Sequence, residues 1–128
     1  MIQGVHHISM KCNDPETFQK VIAFYTEILD LKVVRSWEAG VMIDLGNCWL
    51  EVFNNGEGSE EVGALRHFAL RTDRVDEIVE SVREAGYEVF TEPKDILIRS
   101  TPEIPARIAF IRGPLHEEIE LFDDRSEY

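Results

Sequence analysis

The sequence predicts an α+β fold built from two βαβββ modules, and three observations lead to this prediction. Residues 7–11 (HISMK) return as residues 67–71 (HFALR), and residues 50–53 (LEVF) return as residues 119–122 (IELF). Between these signatures, each half has a helical stretch followed by strand-like segments in the same order. The length of 128 residues, with 44% hydrophobic and 30% charged side chains, fits one globular domain.

The elements of the first half begin with a strand over residues 7–11, where apolar and polar side chains alternate. Asp14 then caps a helix whose first position is Pro15, where the missing N–H costs nothing. An apolar stripe at helical spacing predicts one buried face, formed by Phe18, Ile22, Tyr25 and Leu29. Strands are predicted over residues 32–37, 41–45 and 48–53.

The second half follows the same order. Asp73 is the predicted cap of a helix with apolar positions from Val75 to Ala85, and Gly86 is its left-handed stop. Strands are predicted over residues 88–91, 107–112 and 117–122. Residues 93–105 contain three prolines and are predicted to be an irregular loop over a site, with an edge strand as the alternative.

A polar, glycine-containing linker over residues 54–61 separates the halves. We therefore expect one domain over residues 1–128, with module 1 at about 1–58 and module 2 at about 62–128.

Charge and composition argue against nucleic-acid and membrane partners and against a membrane-spanning segment. The 13 Lys and Arg residues against 25 Asp and Glu residues give a net charge of −12, which repels phosphate backbones and anionic membrane surfaces. No apolar run approaches the roughly 20 residues that cross a bilayer, and residues 1–4 lack signal-peptide features. The expectation is a cytoplasmic protein with no nucleic-acid or membrane partner. Cys12 and Cys48 form no CxxC motif and are interpreted as small buried hydrophobes.

Strand alternation orients two duplicated polar positions. His7 shares a face with Ser9 and Lys11, and His67 occupies the equivalent position in the second half. Glu51 and Glu120 each lie in an otherwise apolar strand, where an unpaired buried carboxylate is costly.

If the two modules pair by pseudo-twofold symmetry, His7, Glu51, His67 and Glu120 meet at one centre. Two imidazoles and two carboxylates suit a divalent transition metal such as Zn, Ni, Co or Fe(II). The alternatives are a decayed repeat, or carboxylates that pair with Lys11 or Arg71. His6 and His116 have no repeat partner and are interpreted as an exposed neighbour and a turn residue.

The chain resembles the vicinal oxygen chelate superfamily, which includes glyoxalase I, bleomycin-resistance proteins and extradiol dioxygenases. The resemblance rests on residues 5–11, 24–32, 50–53, 66–70 and 118–121. It implies modules that pair into open half-barrel sheets. It also implies a homodimer, with the site at a module or subunit interface.

Within this superfamily the ligand set looks most like that of bacterial glyoxalase I, also called lactoylglutathione lyase, because Glu51 fills the extra carboxylate position. The resemblance implies that His7, Glu51, His67 and Glu120 hold one divalent transition metal. Ni or Zn is the first candidate, followed by Co, Fe and Mn. It implies a small-molecule substrate, the hemithioacetal of a thiol and a 2-oxoaldehyde, converted through an enediolate into a 2-hydroxyacyl thioester. That isomerisation requires a base and a stabilising cation. By resemblance, Glu120 is the first candidate for the catalytic base, with Glu51 as its symmetric partner.

Two further residues resemble the glutathione-binding positions of glyoxalase I. Lys11 stands four residues after His7, and Asn55 stands four residues after Glu51. Bacterial enzymes usually have Arg where this chain has Lys11. Lysine keeps the charge but lacks the bidentate fork, so a different thiol conjugate or another carboxylate-bearing ligand fits as well.

Two other classes of function compete with this reading. One is a different metalloenzyme of the superfamily, either an epimerase acting on an acyl-CoA or a thiol transferase acting on an antibiotic. The other is a non-catalytic protein that sequesters a small aromatic or cationic antibiotic. Its aromatic contacts would be Trp37, Trp49, Phe53 and Phe122.

Overall fold

A computed structural model describes residues 1, 3, 5–58 and 67–126 of the chain. The chain divides into two compact units, residues 1–60 and 61–128, and the described residues of each form one α-helix and one four-stranded sheet. Part of the predicted linker, residues 59–61, lies outside the described residues. No helix in the described part of the chain combines the length and hydropathy needed to span a membrane.

The first unit has the predicted order βαβββ. Its elements are β1 (His7–Lys11), α1 (Pro15–Ala23), a π-helical turn (Phe24–Ile28), β2 (Lys32–Trp37), β3 (Gly40–Asp44) and β4 (Trp49–Phe53). The strands lie in the order β1-β4-β3-β2. β1 is parallel to β4, whereas β4 with β3 and β3 with β2 are antiparallel. The first and last strands of the unit are therefore neighbours.

The second unit repeats this arrangement. Its elements are β5 (Phe68–Arg71), α2 (Val75–Glu84), β6 (Val89–Ile98), β7 (Ile104–Arg112) and β8 (Glu118–Asp124). The strand order is β5-β8-β7-β6, again with the first and last strands parallel and adjacent. The predicted α+β fold of two βαβββ modules is confirmed.

Each unit buries one face of its sheet beside its helix. In β4, Leu50 and Val52 are fully buried, while Trp49, Glu51 and Phe53 between them are partly exposed. In β8, Ile119 and Leu121 are fully buried. The helical core residues are Phe18, Val21, Phe24 and Tyr25 in the first unit and Val75, Val79 and Val82 in the second. This alternation leaves both glutamates on the sheet face away from the core.

The first predicted helix changes character after Ala23. The Leu29 N–H donates to the Phe24 carbonyl at 3.1 Å, a five-residue spacing that defines a π turn. The Thr26 hydroxyl also donates to the Ile22 carbonyl at 2.7 Å, a contact that bends helices. The predicted Asp14 cap is confirmed, since its carboxylate accepts from the Thr17 N–H at 2.7 Å.

The predicted Asp73 cap is wrong. The cap residue of α2 is Arg74, and the Asp73 carboxylate instead faces the Arg74 guanidinium at 4.0 Å. The predicted stop at Gly86 is confirmed by its φ of +87°.

The predicted loop over residues 93–105 is also wrong, and its edge-strand alternative holds. β6 runs to Ile98 and lies at the edge of its sheet, so only residues 99–103 connect β6 to β7. The pairing register slips between Thr91 and Lys94, and this bulge accommodates Pro93, which has no N–H to donate.

Candidate metal centre

The parallel pairing of β1 with β4 places a histidine beside a glutamate in the first unit. Ser9 stands opposite Glu51 in the register, and His7 is two residues before Ser9 on the same face. The His7 Nε2 and the Glu51 Oε1 are 3.6 Å apart. The Glu51 side chain is 14% exposed and the His7 side chain 39%, so the histidine is the more exposed member of the pair.

The second unit holds the equivalent pair. Ala69 stands opposite Glu120 in the register of β5 and β8, and His67 immediately precedes β5. The His67 Nε2 and the Glu120 Oε1 are 3.5 Å apart, with side-chain exposures of 34% and 14%. The four residues predicted from the repeat thus form two matching His–Glu pairs, one in each unit.

The spacing within each pair matches that of two ligands on one metal ion. A nitrogen and an oxygen 3.5 or 3.6 Å apart are beyond a normal hydrogen bond. Two ligands at about 2.1 Å from one tetrahedral ion are separated by about 3.4 Å. Neutral imidazole and carboxylate are also the donors that zinc and nickel accept. Each pair therefore fits half of a four-ligand site.

The surroundings of Glu120 favour a nearby cation. Burial raises the pKa of the Glu120 carboxyl, and the neighbouring His67 only partly offsets that effect. Phe110 stands opposite Glu120 on β7, and its ring also lies edge-on to the His67 ring at 5.2 Å between centroids. An apolar wall on one side makes the charged carboxylate costly without a compensating ion.

The two pairs differ in one neighbour. The Ser9 hydroxyl donates to the Glu51 Oε1 at 3.1 Å, so this carboxylate has a fixed hydrogen-bond donor. The corresponding residue opposite Glu120 is Ala69, which has no hydroxyl. The carboxylates therefore share the same kind of histidine partner but not the same restraint.

His6, interpreted from the sequence as an exposed neighbour, also contacts the first pair. Its Nδ1 lies 2.9 Å from the His7 Nδ1, a hydrogen bond between the two rings. The His6 ring packs edge-on against Trp49 at 5.1 Å between centroids. Because this bond uses Nδ1 of His7, the Nε2 of His7 is left facing Glu51. Sequence reasoning missed this role because His6 has no counterpart in the repeat.

Within each unit the structure brings one predicted histidine and one predicted glutamate together. Across residues 1, 3, 5–58 and 67–126, no three His, Cys, Asp or Glu side chains gather as a metal site. A complete set of four ligands therefore requires both kinds of pair.

The two predicted substrate-binding residues lie at the carboxyl ends of β1 and β4. The Lys11 ammonium donates to the Glu57 carbonyl in the segment after β4. Asn55 is exposed in the same segment. Three of the four aromatic residues predicted to contact a ligand lie on the same sheet face as Glu51, namely Trp37, Trp49 and Phe53. The Trp37 and Phe53 rings are edge-on to each other, with 5.8 Å between their centroids.

Solved structures similar to this chain include three that indicate its fold. The protein SMU.1112c matches with a TM-score of 0.75 and 20% identity over 96% of this chain and all of that one. Glyoxalase I from Leishmania major, described as trypanothione-dependent, matches with a TM-score of 0.71 and 24% identity over 95% of this chain and 87% of that one. Lactoylglutathione lyase from Agrobacterium tumefaciens matches with a TM-score of 0.65 and 16% identity over 96% and 95%.

Sequence comparison identifies the family. No curated protein matches the sequence. The family described as the glyoxalase/bleomycin resistance protein/dioxygenase superfamily matches residues 4–120. These residues include both His–Glu pairs, strands β1 to β7 and the first part of β8. The match thus covers nearly the whole chain and agrees with the duplicated βαβββ order. The chain belongs to the glyoxalase/bleomycin resistance protein/dioxygenase superfamily.

Proposed function

We propose that this protein is a metal-dependent lyase of the glyoxalase I type. Its reaction would convert the hemithioacetal of a thiol and a 2-oxoaldehyde into a 2-hydroxyacyl thioester. The observation that supports this proposal is the duplicated His–Glu pair, with N to O separations of 3.6 and 3.5 Å on equivalent strands. A site with one carboxylate fewer would suit other members of the superfamily; here Glu51 and Glu120 supply a carboxylate in each unit.

We propose that His7, Glu51, His67 and Glu120 hold one divalent transition metal, Ni or Zn first, with Co, Fe and Mn as further candidates. The pairs come from a first unit and a second unit, either of one chain or of two chains in a homodimer. When bound, the metal supplies positive charge for the oxygens of the enediolate. We further propose that the protein works in the cytoplasm.

The chain's own residues would move the proton. Glu120 takes the proton from the carbon that bears sulfur and returns it to the adjacent carbonyl carbon, while the hydroxyl proton of the first carbon moves to the former carbonyl oxygen, so the reaction is an isomerisation with no net oxidation. Glu120 stands opposite Ala69, which has no hydroxyl, so this carboxylate is the freer of the two to accept the proton. Glu51, restrained by the Ser9 hydroxyl, stays in place.

The first test measures metal content and then turnover. The purified chain, loaded with Ni²⁺ or Zn²⁺, is assayed with methylglyoxal and glutathione while thioester absorbance is followed. The Glu120→Gln variant should lose about 100-fold or more in kcat. The Glu103→Gln variant, which removes an exposed carboxylate between β6 and β7, serves as the control and should keep full activity.

Two results would contradict the proposal in different ways. Metal binding without turnover of any thiol hemithioacetal would leave the site but move the reaction to the epimerase or transferase class. A chain that binds no divalent transition metal would remove the basis for the four-ligand site, and a non-catalytic binding protein would then be the better reading.

A further inference from the structure

Arg35 differs from the other arginines in its surroundings. Among the described residues, each of the other arginines lies within 4.0 Å of an Asp or Glu oxygen. Arg35 has no such partner in the described part of the chain, although the protein has 25 acidic residues against 13 Lys and Arg. In so acidic a chain, a guanidinium without a carboxylate is available to an anion from outside.

Its position is on the same sheet face as the first His–Glu pair. Arg35 stands opposite Met42, and Met42 stands opposite Glu51. Residues in register across a sheet point to the same side, and two strand spacings separate Arg35 from Glu51 by roughly 10 Å. A ligand atom near Glu51 and an anionic group near Arg35 can therefore belong to one small molecule.

The Arg35 guanidinium is also held in place. Its Cζ lies 5.1 Å from the centre of the Trp49 ring, a cation–π contact. Trp49 stands opposite His7 in the register and is two residues before Glu51. Stacking against indole restrains the guanidinium plane and leaves its N–H edges free to donate, the geometry that binds a carboxylate through two hydrogen bonds.

Lys11, the cation expected from the family resemblance to hold the substrate, is engaged elsewhere. Its ammonium donates to the Glu57 carbonyl, and its side chain lies against Gly56. On this sheet face, Arg35 is thus better placed than Lys11 to meet an incoming anion.

We propose that Arg35, stacked on Trp49, is a substrate-binding residue that selects conjugates carrying a carboxylate. The substrate class is an anionic thiol conjugate, whose carboxylate binds the guanidinium while its reacting carbons lie at the His–Glu pair. This inference rests on the proposed function for the identity of the reacting group, whereas the anion preference itself is measured without turnover.

The test compares an acid with its neutral ester. S-hexylglutathione, an unreactive thioether with two carboxylates, and its diethyl ester are titrated calorimetrically into the full-length, Ni²⁺-loaded protein. The wild type should bind the acid about tenfold or more tightly than the ester, the effect of a charge-assisted hydrogen bond. Arg35→Gln should remove this preference while leaving the ester affinity and the bound metal unchanged. Arg35→Lys should restore only part of it.

A matched control separates this contact from general charge. Arg99→Gln removes the same charge from the exposed connection between β6 and β7 and should keep the wild-type preference. Equal binding of acid and ester by the wild type, or a preference that survives Arg35→Gln, would overturn the inference.

The proposed function can fail separately. A preference that depends on Arg35 in a protein without lyase activity keeps the anion contact and rejects the reaction. Lyase activity toward glutathione conjugates with a KM that Arg35→Gln leaves unchanged keeps the reaction and rejects the contact.

Discussion

At the residue scale, one hydroxyl distinguishes the two carboxylates of the candidate centre. Glu51 accepts from Ser9 at 3.1 Å, whereas Glu120 faces Ala69 at the equivalent position. A ligand held by a neighbouring donor has a defined orientation, and loss of such a donor typically costs 10- to 100-fold in metal affinity. A carboxylate without that donor is freer to leave its ligand position and carry a proton.

We therefore expect Ser9→Ala and Ala69→Ser to act differently. Ser9→Ala should weaken Ni²⁺ binding by about tenfold, as measured by competition with a chelator, because Glu51 loses its restraint. Ala69→Ser, which places a hydroxyl opposite Glu120, should lower kcat about tenfold with little change in metal affinity. Equal effects of both substitutions on affinity and kcat would mean that the hydroxyl does not distinguish the two carboxylates.

A second residue-scale prediction concerns His6. Its ring nitrogen lies 2.9 Å from the His7 Nδ1, so it fixes the orientation of a proposed metal ligand. His6→Phe keeps an aromatic ring beside Trp49 but removes the hydrogen-bonding nitrogen, and it should weaken Ni²⁺ binding about tenfold. His116→Asn is the control: His116 has a φ of 62°, a conformation that asparagine tolerates, and it lies in the turn before β8. A loss of affinity shared by both variants would argue against an orienting role for His6.

At the element scale, the two helices begin in physically different ways. The Asp14 carboxylate accepts from the Thr17 N–H, and this bond lowers the pKa of Asp14 below its ordinary value of 3.8. In α2 the position that corresponds to Asp14 is Arg74, and the carboxylate of the preceding Asp73 faces the Arg74 guanidinium instead of capping the helix. The first helix therefore depends on its aspartate, and the second does not.

This difference predicts a pH effect that only Asp14 produces. Because the folded-state pKa of Asp14 is lowered, its contribution to stability is present above the unfolded value of 3.8 and is lost as pH falls through the folded value. Asp14→Ala should lower the urea midpoint at about pH 7, and the difference from wild type should shrink as pH falls below 3.8. Asp73→Ala should change the midpoint less at every pH. A difference for Asp14→Ala that does not vary with pH would contradict the assignment of a charged cap.

Some elements could be predicted from the sequence and others could not, for physical reasons. Alternation in β4 and β8 has a period of two, so a single buried residue such as Leu50 or Ile119 fixes the face of the adjacent glutamate. The π turn after Ala23 differs from an α-helix by one extra residue in one turn. Such a small change does not alter the spacing of the apolar residues enough to be predicted from the sequence. Pro93 led to the prediction of a loop because proline has no N–H to donate to a neighbouring strand. An edge strand with a bulge at this position does not need that N–H, so the segment can still pair.

The candidate site shows the same division. The four candidate ligands could be predicted because a repeat in the sequence marks equivalent positions, and in the structure the histidine nitrogen and the glutamate oxygen of each unit are 3.6 and 3.5 Å apart. The contacts of His6, Ser9 and Arg35 could not, because each depends on the strand register or on the chain just before β1. Single residues with no counterpart in the repeat give no signal in a search for repeats.

At the scale of the whole molecule, the proposed site requires a pair from each kind of unit. In a homodimer, the partner of His7 and Glu51 is either the second unit of the same chain or that of the other chain. From the family resemblance we expect ligands drawn from both chains, so each of the two sites would combine one first unit with the partner's second unit. These arrangements differ in what happens when two defective chains are mixed.

Co-refolding the His7→Ala and His67→Ala chains tests this expectation. If each site draws on both chains, a mixed dimer contains one site with both substitutions and one site with neither. Random mixing then restores about a quarter of the wild-type sites, since about half of the dimers are mixed and half of their sites are intact. If each site lies within one chain, every site in the mixture lacks a histidine and none is restored. Bound Ni²⁺ and lyase turnover report the restored fraction, and refolding each variant alone gives the background. Restoration near a quarter supports a site shared between chains, whereas a mixture no better than its components places both pairs of a site in the same chain.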